Sequence, residues 1–179
     1  MKLLGAILAG GRSSRFGSDK ALAVIGGKPL IAHVAEALSG QCDQLVVCGR
    51  DWPGLARVDD WPQPDLGPLG GLCGALRHAD ANGFDAVLSA GCDVLPVPAN
   101  LAVLLGPGPA YIRDQWLFGL WPAALADRLE QFLATSSLHS IRAWIIECSA
   151  RSVRFGGEFF NLNTHQDMER LLAAFPRRG

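Results

Sequence analysis

The sequence has almost no net charge and little charge of either sign. Its 179 residues carry 16 Lys and Arg against 17 Asp and Glu, which gives a net charge of −1. This balance argues against a protein that coats DNA or RNA, because such binding needs a basic surface. Charged residues make up 18% and apolar residues 49%. The chain therefore has ample material for a buried core and no disordered character.

Paired cysteines and long apolar runs are also missing. The five cysteines are Cys42, Cys48, Cys73, Cys92 and Cys148. No two form a C-x-x-C pair, so the spacing of a zinc site is absent. The first apolar run ends at Gly10 and does not resemble a signal peptide, and no stretch approaches the roughly 20 apolar residues of a membrane span. We expect free thiols in a reducing cytoplasm and no membrane partner.

Two common glycine motifs of nucleotide-binding proteins do not occur. Without G-x-x-x-x-G-K-[ST] the chain lacks the ordinary P-loop. Without G-x-G-x-x-G it lacks the fingerprint of nicotinamide-dependent enzymes. The four histidines are scattered without the spacing of metal ligands or of a catalytic pair, and we expect them to be structural or exposed.

Buried strands alternate with helices along the chain. Continuous apolar runs of strand length occur at Leu3–Ala9, Gln44–Cys48 and Ala86–Ala90, and they lack the polar alternation of half-exposed strands. Apolar residues at helical spacing predict helices after Pro29, over Leu69–Ala81, after Pro98 and after Pro122. A fifth predicted helix begins near Ser140 and has Ile141, Ile145 and Ile146 on one side. The last follows an approximate capping box at Thr164–Asp167. This order predicts one α/β domain over residues 1–179, a Rossmann-like, doubly wound three-layer α/β/α sandwich with a mostly parallel sheet.

The strongest candidate site follows the first strand. Gly10 and Gly11 let the backbone turn sharply, so successive N–H groups can converge on one anion. Arg12, Arg15 and Lys20 add three positive charges to the same loop. A buried strand that leads into glycines and cations predicts a cradle for a polyphosphate. The alternative is a surface turn with solvated arginines.

Asp93 follows the strand Ala86–Ala90, at the edge where open α/β sheets bind ligands. Mg²⁺ prefers one or two carboxylates together with phosphate oxygens and water. The position therefore predicts a magnesium site, and the alternative is an aspartate that only caps a helix or a turn.

Asp60 lies in a Pro- and Gly-rich loop that leads into a helix. A carboxylate there can accept both N1–H and the 2-amino group of guanine, a pairing that adenine cannot make. Gly67, Gly70 and Gly71 allow an anion or a base edge to approach the start of the helix. The alternative for Asp59 and Asp60 is an exposed acidic turn.

With these features in order, the chain resembles the molybdenum cofactor guanylyltransferases, the MobA-like branch of the Rossmann-type nucleotidyltransferases. The resemblance spans nearly the whole chain. It rests on LAGG at 8–11, R-F-G-S-D-K at 15–20, GKPL at 27–30, D-x6-GPLGG at 60–71, CD-x-x-P at 92–96 and NLNT at 161–164.

The resemblance implies a nucleotide-diphospho-sugar transferase-like fold and a set of site residues. The implied GTP-binding residues are Leu8, Ala9, Gly10, Gly11, Lys20, Asp60 and Asp93. The implied catalytic residues are Arg15, Lys20 and Asp93, with Asp93 as the Mg²⁺ ligand. Asn161 and Asn163 would lie on the molybdopterin side, although spacing alone favours helix capping by Asn163 or Thr164.

Two departures from the family pattern concern the binding of both substrates. Cys48 stands where the family often has an asparagine after the second strand, so a ribose or base contact is missing or comes from the backbone. The His-Pro pair that the family often carries near its later strands is absent around Trp116–Trp121. The pterin side is therefore poorly determined by the sequence.

The implied activity is transfer of GMP from GTP to the terminal phosphate of Mo-molybdopterin, with Mg²⁺ as cofactor. A cytidylyltransferase or sugar-1-phosphate nucleotidyltransferase of the same fold is the alternative among enzymes. A non-catalytic GTP-binding protein that delivers the cofactor is the alternative outside them. The implied partners are the two substrates and molybdoenzyme-specific chaperones or cofactor-insertion proteins, with no nucleic acid.

Overall fold

The structure is a computed structural model that describes residues 1–10, 20–162 and 165–174. The strands are β1 (Leu3–Leu8), β2 (Val24–Ile25), β3 (Lys28–Pro29), β4 (Gln44–Cys48), β5 (Ala56–Val58), β6 (Ala86–Gly91), β7 (Val94–Leu95), β8 (Ala110–Ile112), β9 (Gln115–Pro122), β10 (Arg151–Val153) and β11 (Phe160–Asn161). The α-helices are α1 (Leu30–Ser39), α2 (Pro68–Ala81), α3 (Leu101–Leu105), α4 (Ala126–Thr135), α5 (Ile141–Glu147) and α6 (His165–Ala174). Short 3₁₀ turns cover Lys20–Leu22 and Ala123–Leu125.

Seven of the strands form one sheet in the order β10-β8-β9-β6-β1-β4-β5. The three strands predicted from apolar runs lie at its centre, where β1 pairs in parallel with β4 on one side and β6 on the other. Only β9, among the strands of this sheet, runs antiparallel to its neighbours, β6 and β8. The prediction of a mostly parallel sheet is confirmed.

Alternate residues of the central strands face opposite layers of helices. Leu3 and Ile7 of β1 join a core with α1 and α3, whereas Leu4, Ala6 and Leu8 join a core with α2, α4 and α5. Every residue of β1 is buried, which explains why its sequence lacks polar positions. Helices on both faces of the sheet confirm the three-layer α/β/α sandwich.

Two helices, α1 and α5, begin at the residues that sequence signals mark, but the apolar face of α5 was predicted wrongly. α1 begins at Leu30, directly after Pro29. In α5, Ser140 caps the helix by accepting a hydrogen bond from the Ala143 N–H. Ile146 is 79% exposed, whereas Trp144 is fully buried. The large indole occupies the core position, so the buried stripe of this short helix runs through Trp144 and Ile145.

Two elements near the ligand-binding edge carry no clear sequence signal. β9 is an antiparallel strand inserted between β6 and β8. The short pair β7–β11 brings Val94 opposite Asn161, so two segments far apart in sequence meet beside the end of β6. Across the part of the chain that the structure describes, no helix has the length and apolar character needed to cross a membrane.

Candidate active site

The candidate site lies where β1, β4 and β6 end together. Leu8, the last residue of β1, is aligned with Cys48 of β4 and Gly91 of β6. The side chain of Leu8 is buried in the core, so only its backbone lies at this edge. The N–H of Ala9 donates to the Cys48 carbonyl oxygen at 3.3 Å. The chain therefore stays bonded to β4 until it reaches Gly10.

Two glycine backbones touch just beyond the strands. A Cβ on Gly49 would lie 2.7 Å from the Cα of Gly10, closer than real Cβ atoms approach, and Gly49 has φ = +79°. Its N–H also donates to Val58 of β5 at 3.0 Å. A side chain at Gly49 would thus both strain the backbone and displace Gly10. Gly49 lies in none of the sequence motifs described above, although it follows a buried strand directly, as Gly10 nearly does after β1.

The glycines at the start of α2 make room for the side chain of Asp60. A Cβ on Gly70 would lie 3.0 Å from both Cβ and Cγ of Asp60, and a Cβ on Gly71 would lie 3.6 Å from its Oδ1. Gly70 and Gly71 thus leave space at the start of α2 for the carboxylate of Asp60. The loop is closed by a hydrogen bond from the Trp61 N–H to the Gly70 carbonyl oxygen at 3.1 Å.

Burial and neighbouring charges raise the pKa of Asp60. The main cause is burial, followed by the charges of Asp65 and Asp59, and hydrogen bonds from the backbone N–H groups of Asp65 and Leu66 oppose the shift. A carboxylate offers about four lone-pair positions. Two backbone bonds therefore leave acceptor capacity for a ligand.

The structure separates the two adjacent aspartates of this loop. Asp59 is exposed and lies in an ion pair with Arg57, whose Nη2 is 2.6 Å from its Oδ1. Arg57 also lies 3.5 Å from Asp51. Asp60 is half-buried, and only its carboxylate lies against the glycines of α2. These surroundings favour Asp60 over Asp59 as the group that contacts a base.

A cavity of about 780 Å³, here called the β4-side cavity, joins these residues. It is lined by Ala9, Gly10, Gly49, Arg50, Arg57, Asp59, Asp60, Pro64, Asp65 and Gly67. Its volume lies in the usual range for small-molecule and cofactor sites. The predicted residues Ala9, Gly10 and Asp60 thus meet around one space. Arg50 and Arg57 were not predicted, since neither lies in a motif that the sequence made visible.

Asp93 lines a second cavity, whose lining residues differ from those of the first. This β9-side cavity, of about 200 Å³, is lined by Gly91, Asp93, Val94, Asp114, Gln115, Trp116, Leu117, Phe118, Ile141 and Asn161. The backbone carbonyl of Asp93 accepts the Leu162 N–H at 2.8 Å, and its Oδ1 lies 3.0 Å from where a Cβ on Gly91 would stand. The structure therefore brings Asp93 and Asn161 together, and separates both from Asp60.

A single carboxylate at the end of β6 suits a hard cation that also binds substrate. Mg²⁺ in phosphoryl-transfer sites is usually held by one or two carboxylates plus substrate phosphates. Within residues 1–10, 20–162 and 165–174, no three His, Cys, Asp or Glu side chains are grouped as a ready metal site. Asp93 is the described residue whose position at the strand end fits such a metal.

Cys48, the departure from the family pattern, is 1% exposed. Burial and, to a lesser extent, the charges of Asp60 and Cys92 raise the pKa of its thiol to about 12. Its Cβ lies 3.0 Å from where a Cβ on Gly71 would stand. The side chain thus packs between β4 and α2 and does not face a ligand. The backbone carbonyl of Cys48 accepts the hydrogen bond from Ala9.

Several predicted residues lie outside the described part of the chain. These are Gly11, Arg15 and Asn163, together with Arg12 and Thr164. Lys20 is described through its backbone, which opens the 3₁₀ turn before β2. Their assigned roles remain predictions.

Comparison with known proteins identifies the family to which the chain is related. The model of the MobA-like NTP transferase domain matches residues 5–152. A protein from Acidiphilium cryptum named molybdenum cofactor guanylyltransferase is 33% identical over 91% of this chain and 90% of its own length. One of the same name from Cereibacter sphaeroides is 36% identical over 95% of both chains.

A solved structure shares the fold. The crystal structure of Rv0371c from Mycobacterium tuberculosis, in complex with manganese, superposes with a TM-score of 0.63 at 16% identity, covering 97% of this chain and 100% of that one. At this identity the likeness concerns the fold alone. The family model and the two relatives go further, since each covers most of the chain. The chain belongs to the family of MobA-like NTP transferases.

Proposed function

We propose that this protein transfers the GMP moiety of GTP to the terminal phosphate of Mo-molybdopterin, which yields molybdopterin guanine dinucleotide and pyrophosphate. Two relatives named molybdenum cofactor guanylyltransferase support the proposal. The structural observation that supports the proposal is the alignment of Leu8, at the end of β1, with Gly91, at the end of β6. Because the strands that end there are hydrogen-bonded neighbours, the β4-side and β9-side cavities can hold two substrates side by side.

Guanine recognition is assigned to Asp60. The guanine edge presents two donors, N1–H and the 2-amino group, and an ionised carboxylate is an acceptor-only group. Adenine and cytosine lack this pair of donors. The half-buried position of Asp60 against Gly70 supports the assignment, since a polar contact that excludes water discriminates more strongly than a solvated one.

The triphosphate is assigned to the segment that follows β1. The N–H of Ala9 is already bonded to Cys48, so the amides available to a phosphate begin at Gly10. We assign Gly11, Arg15 and Lys20 to the phosphates on the resemblance to the family. Arg50 lines the same cavity and adds a cation on the β4 side. Positive charge here stabilises the approach of two anions, the main barrier to this reaction.

The reaction needs placement more than a strong base. An oxygen of the acceptor phosphate attacks the α-phosphorus of GTP in line, and the bond from the α-phosphorus to the bridging oxygen breaks as pyrophosphate leaves with the electron pair. The attacking oxygen is already anionic, so no side chain must remove a proton. Orientation of both substrates then supplies much of the rate.

We assign Mg²⁺ to Asp93. When bound, this ion supplies charge neutralisation between the phosphates and polarises their oxygens. The likeness of the fold to a structure solved with manganese supports a divalent ion. Asp93 is fixed through its own backbone, because the bond from Leu162 holds the segment after β6 in place.

The acceptor is assigned to the β9-side cavity. Asn161 lines it, and Asn163 follows two positions later in the chain. A guanylylated pterin must pass to the enzymes that use it, so molybdoenzyme-specific chaperones or cofactor-insertion proteins are the expected protein partners. All five cysteines are free thiols, which suits a reducing cytoplasm.

The test is nucleotide-dependent pyrophosphate release. The protein is incubated with Mg²⁺, Mo-molybdopterin and GTP, CTP or ATP, and the dinucleotide is identified by mass spectrometry. We expect release with GTP and a guanine dinucleotide product. Activity with CTP alone would reject the proposal in favour of a cytidylyltransferase. GTP binding without pyrophosphate release would instead favour a delivery protein.

A further inference from the structure

We propose that the β9-side cavity binds the pterin ring of the acceptor and that Asp114 selects this ring through its N3–H and 2-amino groups. The inference rests on the proposed function, which assigns the acceptor to this cavity. It goes further by naming the residues that distinguish one heterocycle from another. Neither Asp114 nor Trp116 belongs to the sequence motifs described above.

The size and position of the cavity suit one ring system. Its volume of about 200 Å³ is below the roughly 300–1,000 Å³ of sites that enclose a whole drug-sized ligand. It is bounded on one side by Asp93 and Gly91, at the end of β6, and on another by the start of β9. An acceptor whose ring lies there has its phosphate free to extend past Asp93 toward the neighbouring cavity.

Asp114 presents an exposed carboxylate to this space. It belongs to the two-residue turn between β8 and β9 and has φ = +66°, a conformation that Asp tolerates better than most residues. Unlike Asp93, Asp114 is assigned no metal ion, so its carboxylate repels phosphate and marks the end of the cavity that takes the uncharged part of the acceptor. The pyrimidine half of a pterin presents N3–H and a 2-amino group, the same donor pair that guanine offers to Asp60.

Trp116 forms a wall of the same cavity. The guanidinium of Arg142, from α5, lies 3.6 Å from the centre of its ring, and this contact between a cation and an aromatic face holds the indole in place. Conjugated heterocycles pack well against such a ring. The part of the Trp116 ring that lines the cavity therefore contacts the pterin, while Asp114 accepts hydrogen bonds from the edge of the pterin.

Gln115 connects this hairpin to the segment that carries Asn161. Its Nε2 donates to Oδ1 of Asn161 at 3.2 Å, and Asn161 is held in turn by pairing between β11 and β7. This bond joins the Asp114 turn to the segment adjoining Asp93. Through this contact the Asp114 turn lies directly beside the segment that carries Asn161.

The test compares two heterocycles that differ at one position. Pterin and lumazine both have N3–H, but lumazine has an oxygen in place of the 2-amino group, which would face the Asp114 carboxylate. Binding is measured for the full chain by quenching of the ligand fluorescence. We expect the unmodified protein to bind pterin roughly tenfold or more tightly than lumazine, as for a two-point edge contact. Asp114→Asn should bring the two affinities within about threefold.

Three further variants keep the experiment decisive. Asp80→Asn removes an exposed carboxylate at the far end of α2 and should keep the full preference for pterin. Trp116→Leu should weaken binding of both heterocycles about tenfold, whereas Trp116→Phe should restore most of it. Equal affinities in the unmodified protein, no pterin binding by a protein that binds GTP, or an unchanged preference in Asp114→Asn would each overturn the inference.

A separate measurement distinguishes this failure from failure of the proposed function. GTP affinity and guanylyl transfer over a range of acceptor concentrations are measured on the same samples. If transfer occurs but Asp114→Asn leaves the KM for the acceptor unchanged, only the pterin assignment is wrong. If no transfer from GTP occurs, the proposed function itself is wrong.

Discussion

The β4-side and β9-side cavities lie at the same edge of the sheet, yet they are built by different means. Glycines shape the first, where Gly49 meets the backbone of Gly10 and Gly70 lies against the side chain of Asp60. Side-chain contacts shape the second, where Gln115 bonds to Asn161. A contact between backbones admits only glycine, whereas a side-chain bond can be replaced by another of similar length. The first cavity therefore leaves a visible pattern in the sequence, and the second leaves almost none.

The largest effect is expected from a change at Asp93, in the β9-side cavity. Asp93→Asn should lower kcat by about 10²-fold or more, the loss typical of a key electrostatic group, while the thermal unfolding midpoint stays close to that of the unmodified protein. Steady-state pyrophosphate release and circular dichroism measure the two quantities. Asp80→Asn is the matched control and should leave kcat unchanged. An unaltered rate in Asp93→Asn would remove this residue from the reaction.

Gly49→Ala tests the backbone contact of the β4-side cavity. Its Cβ would press on Gly10, and its φ is in the left-handed region, so Gly10 and the end of β1 must shift. Because a displacement of about 1 Å can cost up to ~10²-fold in rate, we expect kcat/KM for GTP to fall roughly tenfold or more.

Gly54→Ala separates the two causes of that effect. Gly54 has nearly the same conformation, φ = +80°, but nothing lies within 4 Å of a Cβ placed there. Both variants should lose about 1 kcal/mol or more of stability, measured by urea unfolding. Only Gly49→Ala should lose affinity for GTP. Equal GTP affinities in the two variants would show that the Gly10 contact does not shape the site.

Asp60→Asn tests which feature of the base the β4-side cavity recognises. The unmodified protein should prefer GTP over ITP, which lacks the 2-amino group, by roughly tenfold, because a hydrogen bond to a charged group contributes about 1.5–3 kcal/mol. The variant should lose most of this preference in a calorimetric titration. Asp59→Asn removes the neighbouring carboxylate, paired with Arg57, and should retain the preference. If Asp59→Asn loses it instead, the assignment belongs to the other aspartate.

The smallest expected effect is a pH dependence in the β4-side cavity. Burial raises the pKa of Asp60, and only the ionised form accepts both guanine donors. GTP affinity should thus be constant near neutrality and fall severalfold as the pH drops through the raised pKa. Asp60→Asn should show a flat profile over the same interval. A fall of equal size in the variant would assign the titration to another group.

The stability contribution of Asp60 has the opposite sign. Because its pKa is higher in the folded chain than in the unfolded chain, the folded state binds the proton more tightly. This contribution is fully present below the ordinary carboxyl pKa and is lost as the pH rises through the raised value. GTP binding and the Asp60 contribution to folding therefore favour different protonation states of one carboxylate.

Much of the fold could be predicted because its signals are local. The central strands are apolar throughout since they are buried on both faces, and Pro29 precedes the first turn of α1. Ile146 was assigned to the wrong side of α5 because a seven-residue helix is too short for periodicity to fix its buried face. The bulk of Trp144 decides that question.

The candidate site divides in the same way. Ala9, Gly10 and Asp60 were identified through glycine patterns and spacing, and the structure gathers them around one cavity. Asp114 and Trp116 were not identified, because a turn aspartate and a strand tryptophan occur in many proteins without a ligand. Their candidacy comes from the cavity that they share with Asp93.

The sequence by itself determined the layered architecture, the family and the glycine-lined half of the site. Each of these depends on residues whose backbone or burial requirements admit few substitutes. Only the tertiary structure decided which aspartate lies against α2 and how the β9 hairpin meets the segment after β6. Those arrangements depend on contacts between positions far apart in the chain, and no local preference of the residues encodes them.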